Sequence, residues 1–218
     1  MPQVILWEHY ISKRRKWIMT SLMIFISSMI IVVLMFHQTM AYVTRSHIQG
    51  QIAPYKAKED IYKILLSNSD IVLGDAMEIA QTVIDQSNKT QIPVALFLAM
   101  MKKESNFSVN AVSPVKAMGI MQIHPITWDT YVKKLDLKVS RKDAFVPSLN
   151  ITVSAAILCD LRDRYQKQGY EDSLLWDYVL SAYYAGPESV KEGLNPNHRQ
   201  YVERVRKYAR ELSKVIES

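Results

Sequence analysis

Residues 17–36 read WIMTSLMIFISSMIIVVLMF, 20 consecutive positions without a charge in a chain of 218. No other feature restricts the fold as much. As an α-helix the stretch would be about 30 Å long, the thickness of a bilayer's hydrocarbon core. Its polar side chains are Thr20, Ser21, Ser27 and Ser28, whose hydroxyls can bond back to helix carbonyls. The run is apolar on every side, which argues against a helix buried by one face in a soluble core. Lys13, Arg14, Arg15 and Lys16 stand immediately before it. Positive residues stay in the cytoplasm, so the N-terminus is read as cytoplasmic and the following part as exported. Trp17 occupies the place of an interfacial anchor. A cleavable signal peptide is the rival reading, with TMA at 39–41 as its cleavage site. The apolar run exceeds the roughly 7–15 residues of a signal peptide's core, which favours an uncleaved anchor.

The chain therefore divides into a cytoplasmic tail (1–16), a single N-terminal transmembrane helix (17–36), a stalk or linker (37–70) and a domain covering 71–218. The stalk holds Gly50, Pro54 and a short helical stretch, KEDIYKILL. Of 27 basic and 21 acidic residues, positions 1–36 hold four basic (Lys13 to Lys16) and one acidic (Glu8). The remainder carries 23 basic against 20 acidic, a net +3. So mild a surplus does not call for nucleic acid and is compatible with a polyanionic envelope polymer. Cys159 is the single cysteine. It forms no intrachain disulfide and reads as a small core residue.

From about residue 71 the pattern is helical, with no convincing strand series. One helix starts after Gly74, with Asp75 and Glu78 spaced as a capping box. A second opens at Pro93, suited to a first helical turn. A third carries Ile151, Ala155, Leu158 and Tyr165, with Gly169 as its stop. A fourth ends in Gly186-Pro187. A fifth places Tyr201, Val205, Tyr208, Leu212 and Val215 on one stripe. Five helices over this length predict one mainly α domain with its own core. Residues 108–149 look irregular, and such segments inside compact domains are often functional.

Glu104 lies seven residues after Phe97, four after Met100 and three after Met101. That spacing puts it on the apolar face of the second helix, with Lys102 and Lys103 pointing elsewhere, on the solvated side. Desolvation favours the neutral carboxyl, and the helix C-terminus disfavours negative charge. A carboxyl protonated near neutral pH is what a general acid needs. The plainer reading is a helix-end acid half in solvent.

The segment ESNFSVNAVSPVKAMGIMQIHPITW (104–128) resembles the catalytic signature of the soluble lytic transglycosylases, lysozyme-like enzymes that cut peptidoglycan glycan strands. The matching residues are Glu104-Ser105, Ser113, Gly119 to Gln122, and Pro125-Ile126-Thr127. Asn150-Ile151, AYYAGP (182–187) and YVERVRKY (201–208) are similar to the family's later motifs, in the same order. The resemblance implies a lysozyme-like helical fold and a cleft for alternating N-acetylglucosamine and N-acetylmuramic acid. It implies that Glu104 is the sole catalytic acid and base, closing the muramic acid C6 hydroxyl onto C1 to leave a 1,6-anhydro end. Ser113, Met121, Gln122 and Tyr183 match substrate-binding positions. Tyr183 corresponds to a tyrosine whose hydroxyl orients the glutamate. Ile120 and Met121 would pack beneath a sugar, or be plain core. Ser105, Gly119 and Tyr184 match supporting positions.

Three positions depart from the pattern. Lys116 and Ser154 stand where glycine is usual, and Tyr184 replaces an asparagine. His124 follows the signature and reads as structural or as a sugar contact. No HExxH, paired cysteines or acidic loop has metal-ligand spacing, so no metal or cofactor is implied. The expected partners are peptidoglycan strands, the inner membrane through residues 17–36, and an envelope-spanning secretion, conjugation or pilus complex. The expected location of the domain is periplasmic or extracytoplasmic. A goose-type-lysozyme-like hydrolase and a non-catalytic glycan-binding scaffold are the alternatives.

Overall fold

The computed structural model describes residues 2–68 and 71–216. Side chains of residues 2–12, 45–55 and 68 lie outside that description, and with them much of the expected tail and the middle of the stalk, including Gly50 and Pro54. Residues 69–70 and 217–218, at the expected edges of the domain, lie outside it too. The chain forms two units, residues 1–54 and 55–218.

The described residues of the first unit, from Pro2 on, are all helical and belong to α1 (Pro2–Asn68). Within it, Lys13–Thr44 is long and apolar enough to cross a membrane. Every side chain from 17 to 36 is exposed. The hydroxyls there do what an apolar surrounding requires. Thr20 Oγ1 donates to Trp17 O at 2.9 Å, Ser27 Oγ to Ile24 O at 2.8 Å and Ser28 Oγ to Phe25 O at 2.7 Å. These three hydroxyls are thus satisfied inside their own helix.

The second unit contains the last turns of α1, then α2 (Leu73–Thr90), α3 (Val94–Ser105), α4 (Pro125–Lys134), α5 (Pro147–Gln166), α6 (Asp172–Ala185) and α7 (Pro196–Ile216). Short 3₁₀ turns occupy Arg141–Phe145 and Pro187–Val190. Among the described residues there are no strands, only isolated bridges joining Val112 to Met118 and Met118 to Ile123. Helix α3 is the centre of the fold. All seven residues from Ala95 to Met101 are buried, and the helix packs along α7 and against α2. Helix α5 packs between α2 and α6. Cys159 is half-buried against this core. Ile61 and Leu65 of α1 are fully buried in the same cluster.

Several local expectations are corrected. Helix α2 starts at Leu73 with Val72 as its N-cap and no side-chain cap hydrogen bond, so the Asp75–Glu78 capping box does not form. The capping box is instead at Ser140–Asp143, where Asp143 accepts from Ser140 N at 2.6 Å. Residues 108–149 are not wholly irregular, since they contain α4 and the first 3₁₀ turn. Trp128 anchors α4: it is 1% exposed, and its Nε1 donates to Ser140 O at 3.2 Å. On α7, Tyr201, Val205 and Leu212 are buried as expected, while Val215 is 47% exposed.

Candidate active site

Helix α3 leaves the core at its C-terminal end, and Glu104 is its penultimate residue. A helix buried on every side delivers its last turn at the edge of the core, which half-buries the carboxyl. Tyr201, buried on α7, donates its hydroxyl to Glu104 Oε1. Burial raises the Glu104 carboxyl above the ordinary carboxylate range; the Tyr201 hydroxyl and the Lys103 ammonium oppose that rise. Burial also lifts the Tyr201 and Tyr183 phenols far above their usual range, and the nearby Glu104 charge adds to both. The polar groups facing Glu104 are therefore Tyr201, Lys103 and Tyr183, and among the described residues no second carboxylate joins them.

The two flanking lysines are not simply solvated. Lys103 Nζ lies 5.2 Å from the centre of the Tyr201 ring, and Lys102 Nζ lies 5.5 Å from that of Tyr208. Both cover aromatic faces of α7, a favourable position for a cation.

The chain after Glu104 is shaped by left-handed backbone. Asn106 and Phe107 have φ of 49° and 65°, and the Phe107 ring is fully buried. Ser105 Oγ donates to Ile120 O at 2.8 Å, tying the helix end to the loop that returns past it. Ser113 builds a tight turn, accepting from Ala117 N at 2.9 Å on its hydroxyl. Lys116 sits in that turn with φ of 64°, which explains the glycine expected there. Gly119 has φ of 75°, and a Cβ on it would lie 2.3 Å from Ala144 O and 2.6 Å from Asn150 Nδ2. Only glycine fits that approach.

Asn150 explains the approach. It is fully buried; its Oδ1 accepts from Met121 N at 2.8 Å, and its Nδ2 donates to Ala144 O at 2.8 Å and Met118 O at 3.2 Å. Gln122 adds a second brace, donating to Gly119 O at 2.8 Å and Ala111 O at 3.1 Å. Tyr183 donates to Met121 O at 2.9 Å. The loop carrying the signature is thus fixed by side chains from α3, α5 and α6.

A groove of about 740 Å³ runs beside this loop. Gln122, Ile126, Tyr183, Tyr184, Asp160 and Arg164 are among the residues that line it. Glu104 is not part of that lining. It adjoins the groove through Tyr183, whose phenol feels its charge, and through Tyr184, which stacks on Tyr201. Ser105, the next residue, lines a second, polar cavity of about 390 Å³ with Asn106, Ser108 and Asn110.

The expected site residues separate into three groups. Glu104, Tyr183 and Tyr184 come together around Tyr201, and Gln122 lines the groove with Tyr183 and Tyr184. Ser105, Ser113 and Gly119 shape the loop. Ile120 and Met121 are buried to 1% and 0% exposure, so their side chains belong to the core and only their backbones join the network. The hydroxyl on Glu104 is that of Tyr201, not that of Tyr183, which is committed to Met121 O. Tyr201 and Asn150 open the motifs YVERVRKY and Asn150-Ile151, yet their spacing alone signals only an apolar stripe and a helix start, not a bond to Glu104 or to the loop. Ser154 is fully buried with its hydroxyl satisfied by Ile151 O at 2.8 Å, so this departure from glycine is accommodated.

Residues 81–203, over half of the chain, match the family described as the transglycosylase SLT domain. The membrane-bound lytic murein transglycosylase C of Histophilus somni strain 2336 is 34% identical over 102 residues, which are 45% of this chain and 28% of that protein. The protein of the same description from Glaesserella parasuis serovar 5 is 32% identical over 123 residues, 55% of this chain and 34% of that protein. The matches thus span about a third of the length of these relatives. The lytic transglycosylase Slt of Pseudomonas aeruginosa, solved as an inactive mutant, superposes with a TM-score of 0.54 at 23% identity, covering 63% of this chain and 24% of that one. The 70 kDa soluble lytic transglycosylase of Escherichia coli gives 0.54 at 22% identity, covering 76% and 30%. At these identities the likeness is one of fold. The sequence match and the fold agree: the chain belongs to the transglycosylase SLT domain family.

Proposed function

We propose that the protein is a peptidoglycan lytic transglycosylase, cleaving the bond between N-acetylmuramic acid and N-acetylglucosamine with Glu104 as its acid and base. The observation that carries this reading is a single half-buried carboxyl, raised by burial and held by the Tyr201 hydroxyl, with no second carboxylate among the described groups facing it. Most glycosidases that use water or an enzyme nucleophile work with a carboxylate pair. One carboxyl suffices when the substrate supplies the nucleophile. Neutral Glu104 gives its proton to the glycosidic oxygen as the C1–O bond breaks. The resulting carboxylate takes the proton of the muramic acid C6 hydroxyl as that oxygen bonds to C1, which closes the 1,6-anhydro ring and restores the acid. The related proteins' descriptions as lytic murein transglycosylases support the same substrate.

The apolar span and the membrane-bound relatives support an anchor in the cytoplasmic membrane. With residues 13–16 inside, the domain stands outside the cytoplasm, in the periplasm where there is one. A tethered enzyme cuts only the layer it reaches, which suits local opening of the wall for an envelope-spanning secretion, conjugation or pilus machine.

Digestion of purified sacculi by the detergent-solubilised full chain, followed by mass spectrometry of the products, tests the chemistry. Anhydromuramic ends are expected, and reducing muramic ends in their place would overturn the lyase reading. Glu104→Gln keeps the size and removes the proton. It is expected to lower the rate at least about a thousandfold, since acid and base steps each contribute about 10²–10⁴.

A further inference from the structure

Tyr184 departs from the family pattern, and its surroundings give it work that asparagine could not do. It lies in the last turn of α6, next to Tyr183. Its ring stacks on that of Tyr201, with centroids 4.6 Å apart and planes 16° from parallel. Near-parallel stacking covers one face only, and Tyr184 is still 49% exposed. It lines the groove with Gln122 and Ile126. One aromatic residue therefore presents an open ring to the groove while its covered face lies against the tyrosine that bonds Glu104. Aromatic faces carry partial negative charge and attract the weakly positive C–H groups that one face of a sugar ring displays. An asparagine side chain has no such face and is too small to cover Tyr201.

We propose that Tyr184 is both a sugar platform and a positioning residue: its outer face takes a sugar ring of the glycan strand, and its inner face fixes Tyr201 against Glu104. The proposal rests on the peptidoglycan reading of the groove and adds the subsite that links glycan binding to the carboxyl. A strand seated on Tyr184 clamps the ring pair and, with it, the hydrogen bond to Glu104. Losing the platform therefore weakens binding and slows turnover together. A purely structural tyrosine would do neither once the fold is intact.

The test separates binding from chemistry. Full-length Glu104→Gln protein, which does not turn over, is titrated with purified sacculi in a sedimentation assay, alone and with Tyr184→Asn or Tyr184→Phe. Tyr184→Asn is expected to weaken binding about three- to tenfold, the range of one aromatic contact. Tyr184→Phe, which keeps both ring faces, is expected to restore it. In the Glu104 background, Tyr184→Asn should raise KM by the same factor and also lower kcat, with both rescued by Tyr184→Phe. Thermal unfolding accompanies each variant. If Tyr184→Asn also loses stability, Tyr184→Trp decides, because it restores the aromatic face: recovered binding supports the platform, and binding as weak as the asparagine variant overturns it. Unchanged binding in Tyr184→Asn, equal losses in the phenylalanine and asparagine variants, or no sacculus binding by the Glu104→Gln parent would each overturn it. Products lacking anhydro ends would overturn only the lyase chemistry, since the binding arm involves no turnover.

Discussion

The Tyr201 hydroxyl is the group whose removal reads most directly on Glu104. A general acid works while protonated, so the rate falls as pH rises through the folded-state pKa of Glu104. Burial sets that value above the ordinary range, and the Tyr201 bond and Lys103 draw it back. Tyr201→Phe removes a donor that favours the carboxylate, so the pKa rises further and the alkaline limb of kcat/KM moves to higher pH. Its plateau should fall about tenfold or more, the weight of a hydrogen bond to a charged group. A pH–rate profile of the two proteins checks both, and an unmoved or acid-shifted limb contradicts the assignment. Glu104 was legible in the sequence because its three-, four- and seven-residue spacing to apolar neighbours coincides with a family signature. Tyr201 was legible only as a member of an apolar stripe. It is indeed buried, and that burial hides its second role, since periodicity cannot show a phenol aimed at a carboxyl 97 residues away.

The loop from 106 to 123 holds its shape through polar groups that hydrophobic patterning does not reveal. Asn150, fully buried, bonds Met121 N and Met118 O of that loop and ties them to Ala144 O of the 3₁₀ turn. Asn150→Ala leaves Met121 N and Ala144 O without a partner, while Met118 O keeps the Ile123 amide, at a cost of about 3 kcal/mol, each buried unpaired group costing about 1–3. For a domain of this size that is a fall in Tm of about 6–12 °C. Gly119→Ala should cost at least about 2 kcal/mol, because its Cβ meets Ala144 O, a backbone atom that cannot swing aside, at a φ disfavoured for alanine. Calorimetry on the full chain in detergent measures both, and a change within 1 °C for either variant would contradict the bracing described. The helices of the core were legible because α3, α5 and α7 carry several buried residues at helical spacing. Helix α4 was not, because Trp128 is its one buried residue and one residue sets no period. The failed cap at Asp75 has a related cause. The spacing of a capping box was present, but α2 begins two residues earlier, and the side chain falls inside the first turn.

The whole chain joins an apolar helix that carries its own hydroxyl bonds to a domain with a separate core. Length and composition suffice for the first, since a span needs only an uncharged run of about 20 residues. The start of the second is less visible. Ile61, Ile64 and Leu65 fall at helical spacing inside the segment read as a stalk, and their burial makes them part of the domain's core. The sidedness of the span is a question of charge. Four cations precede residue 17, whereas Arg45 is the one lysine or arginine between 37 and 55. This asymmetry lies within the distance over which positive charge sets orientation. In membrane vesicles with the cytoplasmic face outward, added protease should therefore leave the catalytic domain intact. Opening the vesicles should expose it. Replacing Lys13 to Lys16 with glutamine removes the retained charge and should release a fraction of chains in the opposite orientation, seen as a cleaved fraction in closed vesicles. Two lysines placed in the span, Ile24→Lys with Val32→Lys, add about 5–7 kcal/mol to insertion at about 2.5–3.5 each, enough to move the chain out of the carbonate-resistant membrane fraction. If the unaltered domain is cut in closed vesicles, it faces the cytoplasm, out of reach of any wall, and the proposed activity has no substrate there.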